Sequence, residues 1–333
     1  MLRLIFVLLF FPFTLSAQLK RFQFSQIKMG SPFNIIIYHH DSAQALEAAN
    51  ECYALIDSLN NIFSDYSSTS EIRLLSQQLI NKEIPVSDEL FSVLTKSKEV
   101  WRKSGKTFDI TMGALSSVWR NANSEERFPS KKEIRKAKRS IGYQNLELNA
   151  ERKTVFFKRK GMLLDFGGIV KGYAAQQVIN HLKSRNILIA LADAGGDIVM
   201  GDPPPGKNGW TVGINLPEQE NEIWNDKLEL KNCAVATSGD VYRFTLNKGK
   251  KYSHIIDPRS GYGVTSLRNV TVIAKDGTNA DWLATACSIL PIEKALALAR
   301  KENASLLIAV LKDGKIIIHA TENFNDYFQS IKP

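Results

Sequence analysis

Apolar residues along the chain follow two rhythms. Short apolar runs at Phe33–Tyr38, Ile187–Ala192, Trp210–Ile214, Val270–Ala274 and Leu306–Leu311 predict strands. Apolar positions at helical spacing predict helices over Ala45–Phe63, Ser87–Lys103, Gly172–Arg185, Asn279–Leu290 and Ile292–Lys301. In LLIAVLKDGKIIIHAT, Asp313-Gly314 offers two positive-φ residues between apolar runs, which predicts a tight hairpin. Strands and helices do not alternate regularly, and several strands read as hairpin-connected. The pattern predicts an α+β fold of mixed, largely antiparallel sheets flanked by helices, not a doubly wound parallel sheet. The polar, proline-rich GDPPPGKNG, residues 201–209, predicts a surface loop between strands.

The N-terminal MLRLIFVLLFFPFTLSAQLKR breaks from both rhythms. An early arginine, an apolar run from Leu4 to Leu15 and small residues at Ser16 and Ala17 form a secretory signal peptide pattern, residues 1–17, with cleavage expected after Ala17. The run is interrupted by Pro12 and falls short of the roughly 20 residues of a spanning helix. No cysteine follows it to accept a lipid. The expectation is one mature domain over residues 18–333, exported to the periplasm with no permanent membrane anchor. Three scattered cysteines, Cys52, Cys233 and Cys287, do not make a disulfide framework, and core positions are expected for them. Cys52 falls on a helical stripe with Leu46, Ala49, Ile56 and Leu59.

Charge changes the picture little. The formal net charge is +9, and much of it sits in KKEIRKAKRS, residues 131–140. Ile134, Ala137 and Ile141 recur there at helical spacing, so the cations are expected on the wet face of a surface helix, with no nucleic-acid partner.

Four segments interrupt the apolar pattern at element ends, where sites are usually built. In LLDFGGIVKGYAAQQV, Asp165 ends an apolar run, Gly167-Gly168 allows close backbone approach, and a helix beginning near Gly172 would present free N–H groups to a phosphate; a structural turn fits equally well. In ADAGGDIVMG, Asp193 or Asp197 could meet a ligand, or the turn could simply redirect the chain. In NADWLATACSIL, Asp281 and Thr285 share one helix face as hard oxygen donors, or cap and solvate it. In YSHIIDPRSGYGV, strand alternation would send His254 and Asp257 to opposite faces, so a direct dyad is not expected. Pro258 and Gly261 close the turn.

Taken together, these segments resemble the ApbE family, the FAD:protein FMN transferases, over nearly the whole mature chain. Met29-Gly30 is similar to the family's early Met-Gly turn, and GKTFDITMGALSSVW to its FD-x-T-x-G-x-L segment. DFGGIVKGYA resembles D-x-G-G-x-x-K-G-Y-A, and AGGDI the second glycine turn. ATSGDVYRF with YSHIIDPRSG resembles the flavin-side segment, and NADWLATA the metal helix E-A-D-x-x-A-T-A.

The resemblance implies an ApbE-like fold and Mg²⁺-dependent transfer of FMN from FAD to a Thr or Ser hydroxyl of an acceptor protein, with release of AMP. It implies flavin or phosphate contacts at Met29, Thr107, Phe108, Asp109, Asp165, Lys171 and Ile256. It implies metal ligation by the Gly168 carbonyl, Asp281 and Thr285, and His254 is the best candidate for the base. Ala284 stands where some members carry a second metal-helix carboxylate. Two rival readings are an FAD pyrophosphatase, which uses the same site to give FMN and AMP, and an exported flavin-binding protein without catalysis, against which His254, Asp281 and Thr285 together argue.

Overall fold

The computed structural model describes residues 18–77, 82–214, 227–239, 244–266 and 268–328. The expected signal segment 1–17 and the DVYR of the flavin-side motif lie outside the described residues. Strands β1 (Lys20–Lys28) and β2 (Ser31–His39) open the chain as a hairpin, with Phe22 opposite Ile37 and Phe24 opposite Ile35. Its turn is Met29-Gly30, both at positive φ (51° and 77°), as a two-residue hairpin turn requires. Helix α1 (Ser42–Phe63) follows, capped by Asp41, whose carboxylate accepts the Ala43 and Gln44 N–H groups. Its buried stripe is Ala45, Ala49, Cys52, Ile56 and Leu59; Leu46 lies outside it and is 49% exposed. The short α2 (Glu71–Ser76) and β3 (Glu83–Pro85) precede α3 (Asp88–Lys103), capped by Ser87.

Helix α4 (Gly113–Ser124) and basic α5 (Lys131–Lys138) come next. Ser130 and Glu133 form a capping box on α5, and the helix buries Ile134 and Ala137 while its cations face outward, as its spacing predicts. Strands β4 (Leu146–Asn149) and β5 (Thr154–Phe157) join β3 in a small antiparallel sheet. Then come α6 (Val170–Ser184), β6 (Ala190–Asp193), β7 (Ile198–Met200), β8 (Trp210–Val212), β9 (Leu228–Leu230) and β10 (Ala234–Gly239). The hairpin of β11 (Phe244–Asn247) and β12 (Lys250–Ser253) precedes β13 (Arg268–Ala274), α7 (Gly277–Ile289) and α8 (Ile292–Lys301). The described chain ends on β14 (Ser305–Lys312) and β15 (Lys315–Ala320), turned at Asp313 (φ 50°) and Gly314 (φ 72°) as the Asp-Gly dipeptide predicts.

Among the described residues, eight strands form one antiparallel sheet in the order β1-β2-β6-β7-β10-β13-β14-β15. Its central strands are buried on both faces, which is why their sequences read as continuous apolar runs. One face carries Phe33, Ile35, Ala192, Val270, Val272, Leu306 and Ile308 and packs on α1, α6 and α7. The other carries Leu191, Met200, Ile273, Leu307 and Ala309, covered by the β8–β9 ribbon and Phe324. The fold is thus α+β, with helices segregated on one side of an antiparallel sheet. Cys52 and Cys287 are buried in the main core, and Cys233 is half-buried beside the second cluster; all three are free thiols.

Helices α6 and α7 cross so closely that their glycines touch. A Cβ on Gly172 would run into the Gly277 carbonyl and lie 2.7 Å from the Asp281 Cβ; a Cβ on Gly277 would strike the Gly172 carbonyl. Gly172→Ala is therefore expected to cost about 1–3 kcal/mol through overpacking. This should be read as a melting temperature several degrees below the parent's. An unchanged melt would show that the helices separate freely.

Candidate functional site

The α6–α7 crossing brings together residues far apart in the chain. Gly172 donates its N–H to Asp281 Oδ2 at 3.0 Å, across 109 positions of sequence. The turn before α6 packs against α7 as well: a Cβ on Gly168 would lie 2.8 Å from the Thr285 hydroxyl and 3.2 Å from the Phe108 ring. Gly168 thus lies against Thr285, one turn of α7 along from Asp281, with Phe108 beside it. One expectation is corrected here. Helix α6 begins at Val170, and its first N–H groups are not free for a phosphate: Val170 donates to Phe166 O and Gly172 to Asp281. The cap of α6 is supplied by another helix, which no local pattern could announce.

Asp281 is buried, and burial pushes its carboxyl up to about 7, opposed by the Gly172 N–H and the Lys171 charge. Asp197 is also held well above the ordinary carboxylate range, by burial first and by the Asp281 charge second, with Lys171 opposing. Of the two alternatives in the second glycine turn, Asp197 faces this cluster, whereas Asp193 braces the turn by accepting the Gly196 N–H at 2.8 Å and the Asn34 amide at 3.2 Å. The Lys171 ammonium lies 3.6 Å from where a Gly195 Cβ would sit, and Ser31 Oγ 2.7 Å from it. Met29-Gly30, Ser31, Gly195 and Lys171 therefore share one corner. Ser31, whose buried hydroxyl has no hydrogen-bond partner in the structure, was not evident from sequence.

A hard divalent cation fits this donor set. Two carboxylates, buried Asp281 and half-buried Asp197, lie near a single ammonium, and the Thr285 hydroxyl and the Gly168 backbone lie one helical turn along from Asp281, oxygen donors of the kind that Mg²⁺ takes. Among the described residues no group of three or more His, Cys, Asp or Glu gathers to hold a metal. A cation here would accordingly draw on Gly168 and Thr285 as well as Asp281.

The raised acid has a testable consequence. Folded Asp281 sits near 7, above its ordinary 3.8, so between those values the native state holds more protons than the unfolded chain. The destabilisation it causes grows as pH rises through this window and is complete above about 7. Metal-free protein should lose stability, on the order of a few kcal/mol, between pH 5 and pH 8, and Asp281→Asn should flatten that slope. Denaturant melts across pH would check this; parallel slopes for the two proteins would contradict it.

A second group of expected residues is built around Asp165. Its N–H donates to Ile110 O at 2.7 Å and its Oδ1 accepts the Gly167 N–H at 2.8 Å, tying the 107–112 loop to the glycine turn. Thr107, Phe108 and Asp109 are all buried. Asp109 braces the loop: Oδ1 accepts from the Thr111 N–H and hydroxyl, Oδ2 from the Tyr143 N–H at 3.3 Å, and burial raises its carboxyl. Close to Asp165 lies Asp65, raised by burial and then by the Asp165 charge. Asp65 pairs with Arg120, whose guanidinium sits 4.2 Å from the exposed Tyr66 ring. Sequence reasoning missed this trio; an exposed tyrosine at a helix end was its only signal.

His254 and Ile256 sit in a third group. Strand β12 ends at Ser253, so His254 lies in a bend, exposed, and the expected strand alternation through Asp257 does not form. Asp257 holds the turn as anticipated: it accepts the Arg259 N–H at 2.9 Å, pairs with the Arg259 guanidinium, and its carbonyl accepts the Gly261 N–H. Ile256 is buried in a satellite core with Leu115, Trp119, Ile134 and Ala137. Trp119 Nε1 donates to Gly261 O at 2.9 Å, fixing the turn to α4. The N-terminus of α4 is in turn bonded to Leu163, two residues before Asp165, through Gly113 N–H at 3.0 Å. Helix α4 is thus the brace between the His254 turn and the glycine-turn cluster.

The model of the ApbE family matches residues 29–308. The FAD:protein FMN transferase of Klebsiella pneumoniae (strain 342) is 28% identical over 303 residues, covering 90% of this chain and 92% of its own. That of Treponema pallidum (strain Nichols) is 28% identical over 300 residues, 86% of this chain and 83% of its own. Among solved structures, the apo form of the flavinyl transferase ApbE of Pseudomonas stutzeri superposes with a TM-score of 0.83 at 27% identity, covering 93% and 98% of the two chains. The ApbE protein of Thermotoga maritima gives 0.85 at 28%, covering 93% and 100%. With the family model spanning most of its length, this chain belongs to the ApbE family.

Proposed function

We propose that this chain is an enzyme that transfers FMN from FAD to a threonine or serine hydroxyl of an acceptor protein, releasing AMP, with Mg²⁺. The observation that carries this is the packing of the glycine turn on α7, Gly168 on Thr285 and Gly172 on Asp281 with Lys171 near, in a chain whose relatives are named FAD:protein FMN transferases. Bound there, Mg²⁺ would draw charge from the pyrophosphate and from departing AMP. Lys171, held over the Gly195 turn, offsets phosphate charge as a point cation. By the family resemblance Thr107, Phe108, Asp165 and Met29 would meet the flavin or its phosphates, with Asp109 keeping the 107–112 loop in place. His254, exposed at the bend, takes the proton from the acceptor hydroxyl, and buried Ile256 holds its turn.

The test is to mix the protein with FAD, Mg²⁺ and a threonine-bearing acceptor and to weigh the acceptor. A mass gain equal to FMN, with AMP released, supports the proposal. FMN and AMP without acceptor gain would make the protein a pyrophosphatase, and unchanged FAD a flavin-binding protein. FAD should also raise the melting temperature more than equimolar FMN, since the site holds a pyrophosphate. Equal stabilisation would count against recognition of the AMP half. For location, the proposal is export with removal of residues 1–17; among the described residues no helix is long and apolar enough to cross a membrane. Cell fractionation and the N-terminal sequence of the mature chain check it.

A further inference from the structure

The β11–β12 hairpin leaves two large apolar side chains in water. Phe244 is 39% exposed and Leu246 62%. They lie two residues apart and so share one face of the ribbon. The intervening Thr245 turns inward, its hydroxyl donating to Asn123 of α4 at 3.2 Å, and its cross-strand partner Tyr252 packs on Trp119 and Phe128. The inner face of the hairpin is thus committed to the satellite core, and the outer face presents Phe244 and Leu246.

Register places that outer face at the proposed base. Phe244 pairs with Ser253, the residue immediately before His254. Paired strand residues have Cα atoms roughly 5 Å apart, so the Phe244 end of this face lies within one residue of the His254 bend. The surroundings are cationic. From Phe244 to Ile256 there are three lysines, Lys248, Lys250 and Lys251, and no acid. The Lys251 ammonium stands 4.7 Å from the Phe244 ring centre, next to the apolar strip. Helix α5, in the same lobe, adds Lys131, Lys132, Arg135 and Lys136, and its Glu133 is already paired with Arg127.

We infer that the outer face of the β11–β12 hairpin docks the acceptor protein, seating an acidic segment with an apolar residue near its reactive hydroxyl. The inference rests on the transferase reading above and specifies which partner surface fits it. Apolar contacts on Phe244 and Leu246 would fix the register of the segment, and the lysines would draw in its acids and exclude basic competitors. An anionic membrane could also meet lysines flanking an apolar strip. The pairing of Phe244 with Ser253, the residue before His254, favours the protein, because the reactive hydroxyl has to reach His254.

The experiment uses two synthetic threonine peptides of equal length, each with leucine near the threonine, one flanked by aspartates and the other by lysines. With FAD and Mg²⁺, the aspartate peptide should gain FMN with kcat/KM at least about tenfold higher. Leu246→Ser should raise KM for that peptide about tenfold while leaving FAD affinity and melting temperature near the parent's. Lys250→Glu with Lys251→Glu should shift preference toward the lysine peptide. Equal use of both peptides by the parent protein, or hairpin variants with unchanged KM, would overturn the inference while the transferase reading stands. FAD consumed with neither peptide modified would overturn both. Binding to phosphatidylglycerol vesicles that the same variants lose, with peptide kinetics unchanged, would assign the face to the membrane and overturn the docking of protein.

Discussion

Asp281→Ala should reduce FMN transfer by about three orders of magnitude or more while the protein still folds. The size follows from the donor set: Asp281 is the one carboxylate among the ligands inferred for Mg²⁺, and Lewis-acid stabilisation of a phosphoryl transition state amounts to several kcal/mol, or about 10³ in rate. Retention of the fold follows from the environment. The substitution loses the bond from the Gly172 N–H but also removes a buried carboxyl already displaced to about 7, and these changes oppose each other. A readout independent of turnover is the melting temperature with and without MgCl₂. The parent should gain stability from the ion, and Asp281→Ala should not. Asp281→Asn keeps the shape and removes the charge, and should behave like the alanine variant in both assays. Transfer within a few-fold of the parent in excess Mg²⁺ would end the assignment of Asp281 to the metal.

What could be read in advance divides along physical lines. Helix ends were legible because their caps are local: Ser87 before α3 and the proline-led start of α8 at Ile292 signal themselves within a turn of chain. The Asp313-Gly314 hairpin was legible for the same reason. Strand β1 was not recognised, because as an outer strand it is largely exposed and its apolar residues are few. The sheet order was also out of reach: β6 lies beside β2, and β10 beside β13, by pairings that span long stretches of chain.

The site divides in the same way. Asp281 and Thr285 share a helix face by spacing alone, and that much the pattern offered. Their packing against the glycine turn depends on a helix crossing that two glycines permit, and sequence alone offered only the family resemblance for it. The misjudged point, free N–H groups at the start of α6, failed because the acceptor comes from α7. Ser31 gives no sign in the sequence, and Asp197 cannot be told from Asp193 there, since what sets them apart is their placement near Lys171, which single-chain patterning does not encode.

His254→Ala should slow transfer by a factor on the order of 10²–10⁴, the range for losing a positioned base, with FAD affinity nearly unchanged. The geometry separates the two effects. His254 is exposed in the bend after β12, whereas the inferred phosphate and metal residues lie around the buried α6–α7 crossing, and α4 links the regions. The substitution should therefore spare the dinucleotide site. It should spare the fold too, because the turn is held by Asp257 with Arg259 and by the Trp119 bond to Gly261, none of which needs the imidazole. A base must be unprotonated to act, so parent transfer should decline toward acid pH, and that limb should be lost in the variant. The deciding measurement pairs FAD titration with single-turnover transfer across pH. Loss of FAD binding and melting temperature together, with no separate fall in the transfer step, would make His254 a structural residue of the turn and leave the acceptor proton to another group.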